Sequence, residues 1–459
     1  MKKSRLADRL LLLAAALLLV LLAFLTLWLI SAFRQNSRTA ADFDLTAAIS
    51  NRNTEVDIAT CLLPEFAGIS VDGKRLGLVG SENAMRELTR TLAPLLSEAL
   101  SSGSVREGSE EEWAAFAEAE NSVYLRLHSE LGDAIVSLFT RVASESLAGA
   151  SFRTPPEGSG PSRQMGYLSE IVLHPYARGE NFEETAFRSA DGTVRIVTVM
   201  MPNTILSAED LSRFVGIFRG ALRSFAFRRS EADGRVQPVV TDQFFAPCVL
   251  MTENTASFVM ESVQERNAVL TLFGLNPDKL LSAREESDGA TSYVATRGEI
   301  IVGETSLTYR ATSESGIGLA ALTGNGESGN LANYVSAALR LYDGIKAANR
   351  HLAGGDASLL LTSVYAAEGT VRLVFHYVFD NIRVIADRPA FTAEFENGLL
   401  RAAELYTVSV QSLGNREEVM AGSWFYRWME AKRGVPGRVF LTYRADFLSE
   451  SVAPEWAGE

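Results

Sequence analysis

The chain has 459 residues, of which 22% are charged and 47% hydrophobic, and its formal net charge is −13. Residues 1–38 hold six basic side chains and one acid, so the remainder carries a net charge of −18. Such an acidic body argues against nucleic-acid binding and against lying flat on anionic lipid. The two cysteines, Cys61 and Cys248, exclude a disulfide-rich scaffold but leave one long-range bridge open.

An apolar run near the amino terminus, Leu10–Phe33, contains 24 residues and no charge. A helix of that length spans about 36 Å, enough to cross a hydrocarbon core of about 30 Å. The alternative, a cleaved signal peptide, needs a shorter apolar region and a small-x-small cleavage site. The basic flank, residues 1–9, predicts a cytoplasmic amino terminus. We therefore expect a single-pass protein of the cell membrane, with the bulk of the chain extracytoplasmic.

Small residues recur near one face of this predicted helix. Close approach between membrane helices favours small side chains, and close packing drives helix association in lipid. Alanine is also common in any membrane helix, so the pattern has a plain alternative. The predicted partner-binding positions are Ala16, Leu19, Ala23, Thr26 and Ile30.

The first half of the body predicts short strands and capped helices after a polar stalk, residues 34–55. The Asp72-Gly73 and Asp191-Gly192 pairs predict hairpin turns, and Ser81 and Ser207 are candidate helix N-caps. The acids at 110–112 suit the positive N-terminus of a helix that starts at Ser109. The predicted strands are Val56–Pro64, Gly68–Val79, Ser122–His128, Gly166–Leu173, Glu184–Arg188 and Thr193–Met201, and the helices are 81–100, 109–120 and 207–225. A charged, turn-rich segment, residues 228–238, is the predicted boundary.

The second half repeats this order of hairpins followed by helices. Predicted strands are Val239–Phe245, Cys248–Thr252, Ser292–Thr296, Glu299–Val302, Ser306–Thr312, Gly318–Leu322, Ser358–Ala366, Thr370–Phe379, Ile382–Ile385, Ala390–Glu396, Leu399–Val410 and Arg438–Arg444; predicted helices are 331–351 and 416–432. Neighbouring hairpins with inserted helices indicate an α+β fold of antiparallel sheets in two or three lobes. The expected divisions are an amino-terminal domain at 56–233, a central lobe at 234–330 and a carboxy-terminal lobe at 331–459.

Two glycine patterns with nucleotide-site spacing are better explained otherwise. The Gly68–Arg75 segment lacks the serine or threonine that binds magnesium after the lysine of a phosphate-binding loop. The second pattern, Gly324–Gly329, lacks a convincing acid after a following strand. No cofactor or metal site is therefore predicted.

Catalytic signatures are equally weak. The sequence has no Gly-x-Ser-x-Gly turn and no His-Glu-x-x-His pair, and its four histidines are scattered. We interpret His128 and His376 as structural histidines, and Glu183-Glu184 and the acids at 110–112 as solvated faces. A paired-carboxylate glycosidase stays open, because the separation of its carboxyl groups depends on the fold. The prediction is a protein that is not an enzyme.

Large aromatic residues cluster near the carboxy terminus. Trp424 and Trp428 are four apart and share one face of a predicted helix. The simpler interpretation is a helix packed on the terminal sheet. The alternative is a surface that docks a partner, because large aromatics dominate interface energetics.

The carboxy-terminal half resembles the YycH/YycI group of membrane-anchored regulators, which are encoded beside an essential sensor histidine kinase of Gram-positive bacteria. The resemblance covers about residues 234–459 and is carried by Ser306–Thr312 with the helix after it, by residues 371–400, and by Tyr443 with Pro454-Glu455-Trp456. The single anchor and the length are more similar to the larger, YycH member.

The resemblance implies a non-catalytic accessory regulator that modulates a WalK-like kinase of a two-component system linked to cell-wall homeostasis. A second, YycI-like regulator is a further partner it suggests. It supplies no short motif, so no binding residue is carried over from the family. The alternative is an extracytoplasmic binding module for a cell-envelope ligand or protein, which a groove between the lobes would favour. A third possibility, an anchored hydrolase, would need a buried carboxylate pair with shifted pKa values in a cleft.

Overall fold

The computed structural model describes residues 57–131, 138–143, 168–174, 182–200, 206–229, 235–253, 262–286, 289–303, 305–312, 315–323, 330–348, 356–433, 438–444 and 451–458. The predicted membrane helix, Leu10–Phe33, and the stalk lie outside these residues. Among the described helices, none has both the length and the apolar character needed to cross a bilayer.

The fold is α+β, as predicted, and most of its strands pair antiparallel. The first sheet has nine strands in the order β3-β7-β6-β5-β4-β1-β2-β8-β9. Their bounds are β1 Pro64–Val71, β2 Lys74–Leu78, β3 Ser104–Gly108, β4 Ser122–Leu131, β5 Leu168–Leu173, β6 Phe182–Ser189, β7 Val194–Met200, β8 Leu222–Arg229 and β9 Val236–Val240. The helices of this half include α1 Glu82–Ser102, α2 Glu110–Glu118 and α3 Ala208–Ile217, and the described residues 138–143 are also helical.

A twelve-stranded second sheet follows the path β11-β12-β13-β14-β20-β19-β17-β18-β22-β24, with β15 on β20 and β16 on β17. Its strands are β11 Ser282–Glu285, β12 Thr291–Ala295, β13 Gly298–Val302, β14 Ser306–Ala311, β15 Ile317–Gly318, β16 Ser358–Ala367, β17 Thr370–Phe379, β18 Ile382–Ile385, β19 Phe391–Glu396, β20 Leu399–Tyr406, β22 Val439–Arg444 and β24 Glu455–Gly458. A three-stranded sheet joins β10 Phe244–Glu253 to β21 Val408–Val419 and β23 Ser451–Val452. The helices of this half are α4 Val263–Leu272, α5 Leu319–Thr323, α6 Leu331–Ala348 and α7 Gly422–Arg433.

Turn chemistry sets the first hairpin. Asp72 and Gly73 both adopt positive φ angles, as a two-residue type I′ turn requires, and the predicted β1–β2 hairpin is confirmed. Gly68 lies opposite Gly77 across this pair. A Cβ atom at Gly68 would come within 2.7 Å of the Phe225 ring, so the glycine makes room for an aromatic side chain.

Serine caps fix three helix starts. The side chains of Ser109, Ser207 and Ser262 each accept a hydrogen bond from the backbone amide three residues later. The carboxylate of that later residue accepts one in turn from the backbone amide of the serine. The first two caps confirm the predicted starts of α2 and α3. The α1 helix begins after Ser81 as predicted, but the Ser81 side chain makes no capping hydrogen bond.

Several local predictions were wrong. The predicted strand at 56–64 is largely a 3₁₀ helix, Ile58–Leu62, because Asp57 caps it by accepting from the Ala59 amide. The predicted strand at 318–322 lies mostly in α5. Strand β3, where no strand was predicted, pairs with β7 along its whole length.

The carboxy-terminal helix also starts later than expected. Residues 416–419 belong to β21, which pairs with β10, and α7 begins only at Gly422. The predicted strand at 399–410 divides at Thr407, where the chain leaves the second sheet and enters the three-stranded one. Consecutive stretches of one extended segment therefore serve two different sheets.

The two large sheets share one continuous core of buried apolar side chains. Strand β9 is the last strand of the first sheet, yet all five of its residues are buried. Tyr426 of α7 packs against Val239 of β9 and Val439 of β22. The first sheet thus extends past residue 233, the predicted end of the amino-terminal domain, and meets the second sheet beneath α7.

Candidate functional site

The five predicted partner-binding residues, Ala16, Leu19, Ala23, Thr26 and Ile30, lie outside the described part of the chain. Their helix–helix role stays a prediction. The functional geometry therefore has to be sought at the junction of the two sheets and on the exposed surface of the body.

A buried ionic cluster crosses the junction. Glu65 of β1 forms salt bridges with Arg126 of β4 and with Arg438, just before β22. The Arg126 Nη2 atom donates to the Val439 carbonyl at 2.7 Å, and the Arg438 Nη2 atom donates to the Leu127 carbonyl at 2.9 Å. Arg126 therefore bonds Glu65 and a backbone carbonyl of the second sheet. Arg438, from the second sheet's side, bonds Glu65 and a backbone carbonyl of the first sheet.

In this cluster one carboxylate is shared by two arginines. Burial raises the pKa of Glu65, but the neighbouring charges of Arg126 and Arg438 outweigh it and hold that pKa below its ordinary value. Burial lowers the pKa of His128 to about 3, so this histidine is neutral at pH 7. The cavity beside Glu65 and Arg126 is about 10 Å³, room for one water molecule. The cluster is built to join the sheets rather than to hold a ligand.

A second buried cluster lies within the first sheet. Arg188 of β6 binds Glu170 of β5 and Glu110 of α2, and its guanidinium lies 4.8 Å from the centre of the Trp113 ring. Tyr124 donates to the same Glu170 carboxylate. Glu110 is therefore half-buried and ion-paired, which corrects the prediction that all acids at 110–112 form a solvated face.

Glu183 corrects a similar prediction. Only 6% of this residue is exposed, and burial together with the charge of Glu98 raises its pKa to about 7. The predicted solvated pair, Glu183-Glu184, is thus split, because Glu184 is partly exposed and accepts from Thr198. Glu183 does not line the cleft described below.

The remaining sequence candidates take structural positions. His376 of β17 bonds Thr362 through Nδ1, and His174 bonds the Phe116 carbonyl. His351 and the 324–329 glycine pattern lie outside the described residues. Cys61 and Cys248 are buried and are not joined by a disulfide. Within the described ranges, no group of three His, Cys, Asp or Glu side chains is placed to hold a metal ion.

A polar cleft of about 270 Å³ opens between the two halves. One wall comes from residues 79–81 and from Arg223, and the other from β10, Asp380 and Arg416. The Arg223 guanidinium lies 5.7 Å from the centre of the Phe244 ring and donates to the Gly220 carbonyl at 2.9 Å. With two arginines and one carboxylate, the cleft suits a small polar ligand that carries negative charge.

Helix α7 supplies the most exposed aromatic surface of the described body. Tyr426 and Met429 are buried against the terminal strands, while Trp424 is 70% exposed and Trp428 50% exposed. One side of the helix packs on the terminal strands, as the simpler interpretation of the aromatic cluster predicted, and the other side faces out. That this outer side docks a partner stays a prediction. We call the exposed positions Trp424, Arg427, Trp428, Ala431 and Lys432 the tryptophan face.

No protein-family model matches the chain, and no curated protein matches it either.

Proposed function

We propose that the chain is a non-catalytic, single-pass membrane protein that modulates a sensor histidine kinase of a two-component system linked to cell-wall homeostasis. Its amino terminus is cytoplasmic, and its α+β body is extracytoplasmic. The apolar run Leu10–Phe33 and its basic flank support the anchor and its orientation. A WalK-like kinase is the partner, with a YycI-like regulator as a second one.

The observation that carries the proposal is the location of the segments that resemble the YycH/YycI group. Strand β14, the β17–β18 hairpin, the β19–β20 hairpin and the closing strands all belong to the second sheet. Leu441, two residues before Tyr443, pairs with Trp456 of β24. Passages that are far apart in sequence thus form one structural unit, which supports treating the resemblance as one domain rather than as scattered chance matches.

The proposed contact with the kinase is made inside the bilayer. Ala16 and Ala23 are seven residues apart, about two turns of the predicted helix, and small side chains there would let a second helix approach. The body then positions the anchor without needing a reactive site of its own.

The proposal is tested by affinity purification of the full chain from gently solubilised native membranes, with mass spectrometry of the partners. A parallel sample replaces Leu10–Phe33 by an unrelated membrane helix. We expect a histidine kinase to co-purify with the full chain and to be absent after the replacement. Ala16→Leu with Ala23→Leu should reduce the amount of kinase recovered. Leu17→Ile with Leu22→Ile is the matched control. Absence of any kinase from every sample would overturn the proposal.

The cleft favours a second candidate, a binding module for an anionic cell-envelope ligand. Arg223 and Arg416 would bind the anion, and Phe245, which is 58% exposed, would contact its apolar part. Glycerol 3-phosphate is a suitable probe in a calorimetric titration of the full chain. Binding that is lost in Arg416→Gln and kept in Arg444→Gln, whose arginine lies in an exposed ion pair, would support this function.

A further inference from the structure

The five positions of the tryptophan face combine aromatic and basic side chains, and Glu430, the acid that the same helix exposes, falls outside their spacing. Its members follow the i, i+3, i+4, i+7, i+8 spacing of one helix face, and all of them are exposed. Tyr426 and Met429 occupy the opposite side and anchor the helix to the body. The surface is therefore presented on a fixed element rather than on a loop.

Two exposed tryptophans on such an element need an explanation other than folding. Phe425, which is half-buried, packs against Trp428 with their ring centres 5.7 Å apart, so the aromatic surface is continuous. Indole rings favour the boundary between water and hydrocarbon, since they combine an apolar body with a polar N–H group. Aromatic residues beside lysine and arginine are the composition of helices that lie on a membrane surface.

The local charge points to the same occupant. Helix α7 holds Arg427, Lys432 and Arg433 against the single acid Glu430, a net +2, whereas the chain beyond residue 38 carries −18. Anionic lipid headgroups repel the rest of the body and attract this helix. The two effects together orient the tryptophan face toward the bilayer and keep the acidic surfaces away from it.

The chain between the anchor and the body is long enough for this contact. Residues 34–56 separate Phe33 from the first described residue, Asp57. A segment of about 23 residues reaches about 75 Å when extended and averages about 25 Å when flexible. Tethering also raises the effective concentration of the face near the lipid, so weak contacts suffice.

We infer that the tryptophan face docks on the anionic lipid surface of the membrane that holds the anchor. This inference rests on the anchoring part of the proposed function. Docking would hold the body, including the junction of the two sheets, in one orientation relative to the bilayer.

The test uses the full chain in liposomes of phosphatidylcholine, with and without phosphatidylglycerol, containing lipids brominated at shallow or deep positions. Bromine quenches tryptophan emission on contact. The difference between wild type and Trp424→Phe with Trp428→Phe isolates the signal of the face, and Trp28→Phe isolates that of the anchor. We expect strong shallow quenching of the face in anionic liposomes, reduced at least twofold by Arg427→Glu with Lys432→Glu or by omitting phosphatidylglycerol.

Two results would overturn the inference and are distinguishable. If deep bromine quenches Trp28 but iodide in solution reaches Trp424 and Trp428 as freely in liposomes as in detergent, the anchor stands and lipid docking fails. If iodide is then kept from the tryptophan face in native membranes but not in liposomes, a protein partner covers the face. If deep bromine does not quench Trp28, the anchor itself fails, and the proposed function and the docking fail together.

Discussion

The Asp380 carboxylate accepts a hydrogen bond from the Glu82 amide at 3.2 Å, across 298 residues of sequence. It therefore caps α1, whose own N-cap residue, Ser81, makes no side-chain capping bond. Asp380 lies in the turn between β17 and β18 and has a positive φ. A turn of the second sheet thus completes a helix of the first half at the edge of the cleft.

This cap predicts a pH dependence. Burial raises the pKa of Asp380 to about 6, with Glu82 adding to the rise, while the hydrogen bond from the Glu82 amide and the charge of Arg416 oppose it. Because the folded pKa lies above the ordinary 3.8, the protonated form is favoured in the fold. Its stabilising contribution is complete below pH 4 and is lost as pH rises through 6.

Asp380→Asn keeps the acceptor and tolerates the left-handed turn but cannot ionise. We expect the variant to show a smaller decline in stability between pH 4 and pH 7, with the part due to Glu183 retained, and to exceed wild type at pH 8 by about 1–2 kcal/mol. Urea unfolding of the full chain in detergent at pH 5 and pH 8 measures this. Asp72→Asn, in the exposed β1–β2 turn, is the matched control. Equal pH profiles for wild type and Asp380→Asn would contradict the prediction.

The Glu65 cluster predicts a large loss of stability. Glu65→Gln removes the one acid shared by Arg126 and Arg438 and leaves the buried charge of Arg126 and the partly buried charge of Arg438 uncompensated. Breaking a buried pair in this way costs about 3–5 kcal/mol. The comparison is Glu455→Gln in the exposed pair with Arg444, where about 0–1 kcal/mol is expected. Similar urea midpoints for the two variants would show that the buried cluster does not join the sheets.

Local signals in the sequence predicted much of the fold. The serine–acid spacing at Ser109 and Ser207 and the Asp72-Gly73 turn act within a few residues, so the sequence contains everything they need. The cap on α1 cannot be predicted in this way, because Asp380 is 298 residues from Glu82 and comes near it only in the folded protein. The raised pKa of Glu183 likewise depends in part on Glu98 of α1, which lies 85 residues earlier in the chain.

The errors near the carboxy terminus have a similar cause. Residues 411–418 are exposed, so their sequence lacks the alternation of a half-buried strand and suggested a helix from Arg416. Their strand form comes from pairing with β10, more than 160 residues earlier. The tryptophan spacing predicted a shared helix face, but only packing could decide which face turns outward.

The two cysteines, Cys61 and Cys248, should both be free thiols. Cys61 donates to the Ile58 carbonyl at 3.1 Å, and each thiol is buried in a different part of the core. We expect two reactive thiols per chain in denaturant without reductant, slow labelling in the native state, and no shift of the melting temperature on adding reductant. Ellman titration gives the count. No reactive thiol in denaturant would mean that the two cysteines form a bridge.

The two sides of α7 should differ in their effect on folding. Met429 is 7% exposed in the terminal core, so Met429→Ala should cost about 2–4 kcal/mol through lost burial and a residual cavity. Trp424→Ser removes a side chain that is 70% exposed and should change stability by about 0.5 kcal/mol or less. Urea unfolding of both variants measures the contrast. A large cost for Trp424→Ser would mean that the indole stabilises the fold, and its exposure would no longer call for an external surface; a small cost is the result that docking requires.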